Sequence, residues 1–360
     1  MTLRRCWVRF FEIVLEQLDL AAELLHSRNP TQSRLALILV DNAAEYALHR
    51  YAVDWLARYP VPYQLPVLER KKLHKKRARV LGQHIKPKIA FARLQNAITA
   101  DQATFIREAH EFRNQAYHAG RTHDSIITEL ATTYFSAFLR MLGGLAPGTI
   151  WIKSDHMLSP RVRQHLGDNI PLTISTENGI QSLVDSLERS LPVAPQTLSE
   201  ACRATLEGWL IEIRYCIDSL VQDDDSVSSA AALIRDVQYW SCFWSNAPDE
   251  GFTLLDDGTG GAIVDPDQET EWKKLQEDMQ GWRPRVSERT LRRWDARIDG
   301  LREPSKPGVL LQKYCKLVSE IEPFMKMLSH RCAAFDHYIE ELLDDERDAK
   351  LRKRLEAEGS

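Results

Sequence analysis

The sequence predicts an all-α protein: an up-and-down helical bundle over residues 1–148, followed by an acidic, mainly helical domain over 149–360. Three observations lead there. Apolar residues recur at spacings of three and four along most of the chain, the period of a helix with one buried face. Proline and glycine stand mostly between these striped segments rather than within them. Segments that mix Gly, Pro and Asn with β-branched residues are short and fall within 143–179, and 246–268 is an acidic, glycine-rich loop. With 360 residues, 44% of them apolar and 27% charged, the chain is long enough for two domains and can bury a core without metals or disulfides.

The elements follow in order. Phe10, Val14, Leu18, Ala21 and Leu25 form the first stripe. Asn29-Pro30 closes that helix, and Thr31 or Ser33 is placed to cap the next, which runs through SRLALILVDNAAEYALHRYAVDWLARY. Three prolines make 59–66 a connector. The segment from Glu69 to Ile98 reads as helix interrupted near Gly82 and again at Pro87, and 60–100 looks like an insertion between bundle helices. Asp101 is expected to cap DQATFIREAHEFRNQAYHAG, which stops at Gly120. Asp124 or Ser125 then opens SIITELATTYFSAFLRML. The texture changes at Gly143, which places a domain boundary near 145–175. Helical patterning resumes in GIQSLVDSLERSL, LSEACRATLEGWLIEIRYCIDSLV and SVSSAAALIRDVQYWSCFW. Residues 246–268 form an acidic, glycine-rich loop able to fold back as a small hairpin, and three more helices are expected to finish the chain, the last being LLDDERDAKLRKRLEAEGS. Trp240, Trp244, Trp282 and Trp294 are assigned to the core of the second domain.

Composition narrows the function classes. The six cysteines are scattered without a CxxC, which argues against a disulfide framework or a zinc site and suits a reducing cytoplasm. Glu12 and Glu16 break the N-terminal apolar run, and no stretch approaches the length of a membrane span. Hydrolase, dinucleotide-binding and kinase signatures are missing from the sequence. The net charge of −4 hides an asymmetry: residues 1–150 hold 21 Lys and Arg against 13 Asp and Glu, leaving 26 against 38 in the remainder. The first part is therefore the one suited to a polyanion. Its charge is concentrated in Arg70, Lys71, Lys72, Lys75, Lys76, Arg77 and Arg79, with no acidic residue between 70 and 100 to neutralise it locally.

The segment HEFRNQAYHAG, residues 110–120, carries the chemistry. Arg113 is followed by Asn114 and, after three further residues, by His118, at the end of an amphipathic helix that is succeeded by a long apolar-striped one. This arrangement over residues 1–145 resembles the HEPN family of helical bundles, many of them metal-independent RNases, in which an Arg, a polar residue and a His form the signature. The resemblance implies an endoribonuclease that needs no cofactor, working as a homodimer whose two motifs share one cleft, as a toxin or anti-phage effector, with an antitoxin or other regulatory protein as a further partner. Some members carry a tyrosine two residues after the His as a modification site; Gly120 stands there in this chain.

The residue types suit that chemistry. An imidazole can take the ribose 2′ proton or protonate the leaving oxygen near neutral pH. A guanidinium matches the non-bridging phosphate oxygens bidentately and stays charged. His118 is thus assigned as general acid/base, Arg113 as phosphate clamp and Asn114 as positioner, with Asp41 or Glu45 on the earlier helix available to orient Arg113. Residues 113 and 118 stand about 140° apart on an ideal helix, so they converge only through the length of the arginine, a helix end at His118, or a second copy. Two other patterns compete. Asp41, Glu45 and His49 share a helix face at metal-ligand spacing, but no second helix offers matching carboxylates, so no metal is expected. Arg331 and His337 repeat the spacing without the polar residue or the helix end and are taken as structural. A different class of function, a non-catalytic helical RNA-binding or scaffold protein, would keep the bundle without turnover.

Overall fold

The computed structural model describes residues 2–118, 124–145, 149–151, 158–166, 173–175, 179–192, 196–223, 228–245, 254–256, 262–264, 282–302 and 306–358, with a few positions between 270 and 277. Twelve helices and two ladders of three-residue strands occur among the described residues, so the protein is all-α. The chain divides into two compact units, one of residues 1–205 and 301–315, the other of 206–300 and 316–360.

The first unit is built around α2 (Pro30–Arg58), which packs against α1 (Thr2–His26), α4 (Ile85–Leu94), α5 (Ala100–His118) and α6 (Asp124–Leu145). The stripe of α1 is buried as its spacing predicts, with Phe10, Val14, Leu18, Ala21 and Leu25 all at most 4% exposed. Helix α2 is covered on more than one side, and Ala36, Ala43, Ala44 and Ala47 let its neighbours approach closely. Its N-cap is Asn29, whose Oδ1 accepts from the Thr31 and Gln32 amides at 2.9 and 3.4 Å, with Pro30 at the first helical position. Neither Thr31 nor Ser33 caps it, because an asparagine before a proline already supplies the acceptor and the preset φ. Ser33 is buried instead, its Oγ 2.8 Å from that of Thr128 on α6.

The basic segment forms α3 (Val67–Leu81), none of whose residues is buried, and α4, whose Ile85, Ile89 and Ala92 join the core. The expected insertion is therefore half surface and half core. Gly82 ends α3, but Pro87 interrupts nothing, since it lies in the first turn of α4 where an amide has no intrahelical acceptor. Helix α5 opens with a reciprocal cap: the Thr99 amide donates to Gln102 Oε1 at 2.8 Å and the Gln102 amide to Thr99 Oγ1 at 3.2 Å. This makes Thr99 the capping residue rather than Asp101. In the last turn of α6 a Cβ on Gly144 would sit 2.5 Å from the Ala97 carbonyl oxygen, so only glycine admits that approach.

The first unit continues past the composition change at 149. Strand β1 (Thr149–Trp151) pairs antiparallel with β2 (Thr173–Ser175), and α7 (Pro160–Leu166) and α8 (Gly179–Arg189) pack on α1. The buried carboxylate of Asp19 on α1 accepts from Arg161 and Gln164 at 2.6 and 2.9 Å and lies 2.7 Å from His165 Nε2. The Ser159 amide donates to Glu12 at 2.7 Å. These polar ties fasten α7 to α1, α8 packs on α6 and α7, and the unit runs on to the start of α9 (Leu198–Asp223).

In the second unit, α10 (Ala230–Ser245), α11 (Glu288–Asp299) and the later parts of α9 and α12 (Pro307–Glu358) supply the helices. The buried Gln238 side chain donates to the Ile234 and Val286 carbonyls and accepts from the Val286 amide. Strands β3 (Leu254–Asp256) and β4 (Ala262–Val264) pair antiparallel, as a folded-back loop requires. Trp294 is a core residue at 1% exposure, but Trp240 is 47% exposed and does not serve the core. Trp282 is half-buried, edge-on to Tyr239, and the side chain of Trp244 lies outside the described residues. The last expected helix is not separate: α12 is one helix of 52 residues, because after Pro323 no glycine or proline interrupts 324–358.

Candidate active site

Three helices of the first unit bring Asp41, Arg113 and Asn114 together with three residues the sequence reading did not name, Asn42, His110 and Tyr134. On α5, His110, Arg113 and Asn114 follow at i, i+3 and i+4 and so share one face. Helix α2 presents Asp41 and Asn42 to that face, and α6 contributes Tyr134 from its buried side.

Asp41 is the hub. Its carboxylate is completely buried, and a buried charge is tolerated only with donors around it. Tyr134 donates its hydroxyl to Oδ1 at 3.0 Å. His110 donates Nδ1–H to Oδ2 at 2.8 Å, and Arg113 Nε stands 3.7 Å from the same oxygen. The guanidinium is then completed by two amide oxygens: Nη1 donates to Asn114 Oδ1 at 2.9 Å and Nη2 to Asn42 Oδ1 at 3.3 Å. Arg113 keeps 22% of its side chain exposed.

The hydrogen bond that His110 donates to Asp41 raises the His110 pKa above its ordinary 6.5, against the downward pull of burial, with the Asp41 charge adding to the rise. Burial and the same carboxylate push the Tyr134 phenol far up, which keeps it a permanent donor. The site thus holds a fixed guanidinium beside an imidazole anchored through Nδ1, whose charged form the Asp41 carboxylate favours.

Asp41, expected to orient Arg113, lies 3.7 Å from its Nε, whereas Glu45 is turned to another partner. Its carboxylate lies 3.5 Å from Nζ of Lys88, a buried lysine that also donates to the Gln83 and His84 carbonyls. Burial, and then the Lys88 charge, lowers the His49 pKa. Asp41, Glu45 and His49 are therefore engaged separately, and among the described residues no three His, Cys, Asp or Glu side chains are grouped to hold a metal ion. Burial pushes the Cys315 thiol up to about 12, which removes it as a nucleophile.

His118 is the last residue of α5, two turns beyond His110; its side chain lies outside the described residues, as does Gly120. Arg331 and His337 lie within the uninterrupted α12, where His337 is 73% exposed and 3.5 Å from Glu341. That is a solvent-facing helix pair.

Of the basic run, Lys71, Lys72, Lys75, Lys76 and Arg79 are exposed on α3 and Arg70 is half-buried. Arg77 is spent on structure: its guanidinium donates to the Leu56 and Tyr59 carbonyls at the C-terminal end of α2. Acidic partners for neighbouring lysines come from other helices, Glu111 for Lys86 at 2.7 Å and Glu45 for Lys88. Sequence reasoning missed His110, Asn42 and Tyr134. His110 had a signal, three residues before Arg113 and hence on its face; the tyrosine hydroxyl sits inside an apolar stripe and had none.

Comparison of the chain with protein-family models, curated proteins and solved structures gives no match.

Proposed function

We propose that the first unit is a metal-independent endoribonuclease. The observation that carries this reading is the partly exposed Arg113 side chain, held by Asp41, Asn42 and Asn114 next to the Asp41-bound imidazole of His110. A pre-oriented guanidinium stabilises charge on a phosphate at little reorganisation cost. In the reaction the ribose 2′ oxygen attacks the adjacent phosphorus and gives its proton to a base. The bond from phosphorus to the 5′ oxygen breaks and that oxygen is protonated, leaving a 2′,3′-cyclic phosphate and a 5′-hydroxyl. Arg113 holds the non-bridging oxygens and Asn114 keeps the fork in register. His118, at the position the motif gives it, exchanges the proton, and His110 places a second imidazole on the same helix one turn before the arginine. The exposed cations of α3 attract the strand without reading its sequence. The resemblance adds the setting: a homodimeric toxin or anti-phage effector in the cytoplasm, held in check by an antitoxin or other regulatory protein.

The test is RNA cleavage in EDTA by the full chain, its Arg113→Ala variant and its His118→Ala variant. Cleavage by the wild type with loss of at least about a hundredfold in each variant is expected. Binding without cleavage by the wild type would make the protein an RNA-binding scaffold instead.

A further inference from the structure

Beside Arg113 the first unit has a second feature. An open cleft of about 500 Å³ lies between α2 and the turn joining α3 to α4, within the size range of small-molecule sites. Asn42, Glu45, Tyr46 and His49 line one wall, at spacings that put all four on one face of α2, and Leu81 and Gln83 line the other. Asn42 belongs to both sites, since its side-chain oxygen accepts from Arg113. A ligand whose phosphate rests on Arg113 therefore has this cleft next to it.

The lining selects against a second phosphate and for a flat, hydrogen-bond-donating group. Lys88 faces the cleft, but its ammonium protons are taken by Gln83, His84 and Glu45. Glu45 retains a third of its side chain exposed and offers only acceptors. His49, kept neutral by burial and by Lys88, adds no positive charge. Tyr46 presents a 38% exposed ring, braced from behind by Phe10 at 4.9 Å between centroids. An aromatic platform beside a carboxylate is the pairing that a nucleobase with adjacent N–H donors fills: the ring stacks and the donors meet the carboxylate oxygens, which keep lone pairs beyond the one turned to Lys88. Guanine has this edge, with N1–H beside its amino group; uracil sets carbonyl oxygens on both sides of its single N–H.

We propose that the cleft is a guanine subsite, holding the base next to the phosphate on Arg113, with Tyr46 as stacking platform and Glu45 as the group that reads the base. This rests on the ribonuclease reading for its substrate, but its test does not need cleavage.

Binding of 3′-GMP, 3′-AMP, 3′-CMP and 3′-UMP to the full chain is measured by calorimetry, alongside cleavage of a mixed-sequence RNA. The expected result is 3′-GMP tightest, by about tenfold over 3′-UMP. Tyr46→Ala should weaken all four by about tenfold and Tyr46→Phe restore them, while Glu45→Gln should remove the preference for 3′-GMP. Tyr46 is exposed, so its variants fold whatever Glu45→Gln does to the Lys88 contact. Equal affinities for the four nucleotides, no binding, or indifference to Tyr46→Ala would overturn the subsite. Cleavage with no guanine preference sinks the subsite and leaves the nuclease; Glu45-dependent 3′-GMP binding without cleavage does the reverse.

Discussion

Replacing Asp41 by asparagine isolates what its buried charge does, because the shape is kept and the charge removed. The substituted side chain would have one oxygen, enough for the Tyr134 hydroxyl, but its amide nitrogen would then face the N–H of His110 where Oδ2 now accepts. One charge-assisted hydrogen bond is lost and a donor is left against a donor, a cost of about 2–3 kcal/mol. For a unit of this size that is a fall of about 5–10 °C in melting temperature. The cost should depend on pH with a definite sign. The His110 pKa is raised in the folded wild type, chiefly by its bond to Asp41. Its contribution is therefore complete below the ordinary value of 6.5 and disappears as pH climbs through the folded value. In the variant the remaining influences, burial and Arg113 against Glu45, leave the His110 pKa lower, so protonation no longer favours the fold. The stability gap between wild type and variant should be widest near about pH 5.5 and narrow toward about pH 8.5, read by urea unfolding, with the His110 ring titrated by NMR in both proteins. A gap below about 0.5 kcal/mol, or one that widens as pH rises, would refute the role given to the carboxylate.

The cations of α3 should separate into two kinds. Arg77→Ala should cost about 1–2 kcal/mol in urea unfolding, because it uncaps the Leu56 and Tyr59 carbonyls at the negative end of α2. Lys72→Ala and Lys75→Ala should leave stability within about 0.5 kcal/mol, yet each should lower the slope of RNA affinity against salt by about one. Gly308→Ala should destabilise the first unit by about 1–3 kcal/mol, since the new Cβ would lie 2.6 Å from the Asp101 carbonyl oxygen and 2.8 Å from the Phe105 amide. Gln238→Leu should cost the second unit about 2–3 kcal/mol by stranding the Val286 amide and carbonyl, which a thermal melt would report.

What could be read from the sequence, and what could not, divides along the range of the interactions involved. The stripe from Phe10 to Leu25 is a local periodicity, so it predicted a buried face that the fold uses without change. That Arg113, Asn114 and Asp41 could lie together was legible for the same reason, since they are charged or polar groups at fixed spacings on striped helices. Failures began wherever the deciding partner was distant in sequence. Nothing near Arg77 tells that the end of α2 will claim it, and Glu111 and Glu45 reach Lys86 and Lys88 from other helices. Trp240 and Trp294 look alike as residue types, but only the second meets Glu320 on α12 and goes inside. Tyr134 is the sharpest case: in a stripe of apolar residues its ring is correctly core, yet its hydroxyl terminates on a carboxylate 93 positions away. That carboxylate in turn needs two basic side chains from α5 to be tolerable inside the protein. Burying Asp41 demands donors, so the requirement that ties α2, α5 and α6 together at this carboxylate is also the one that fixes the Arg113 guanidinium in place.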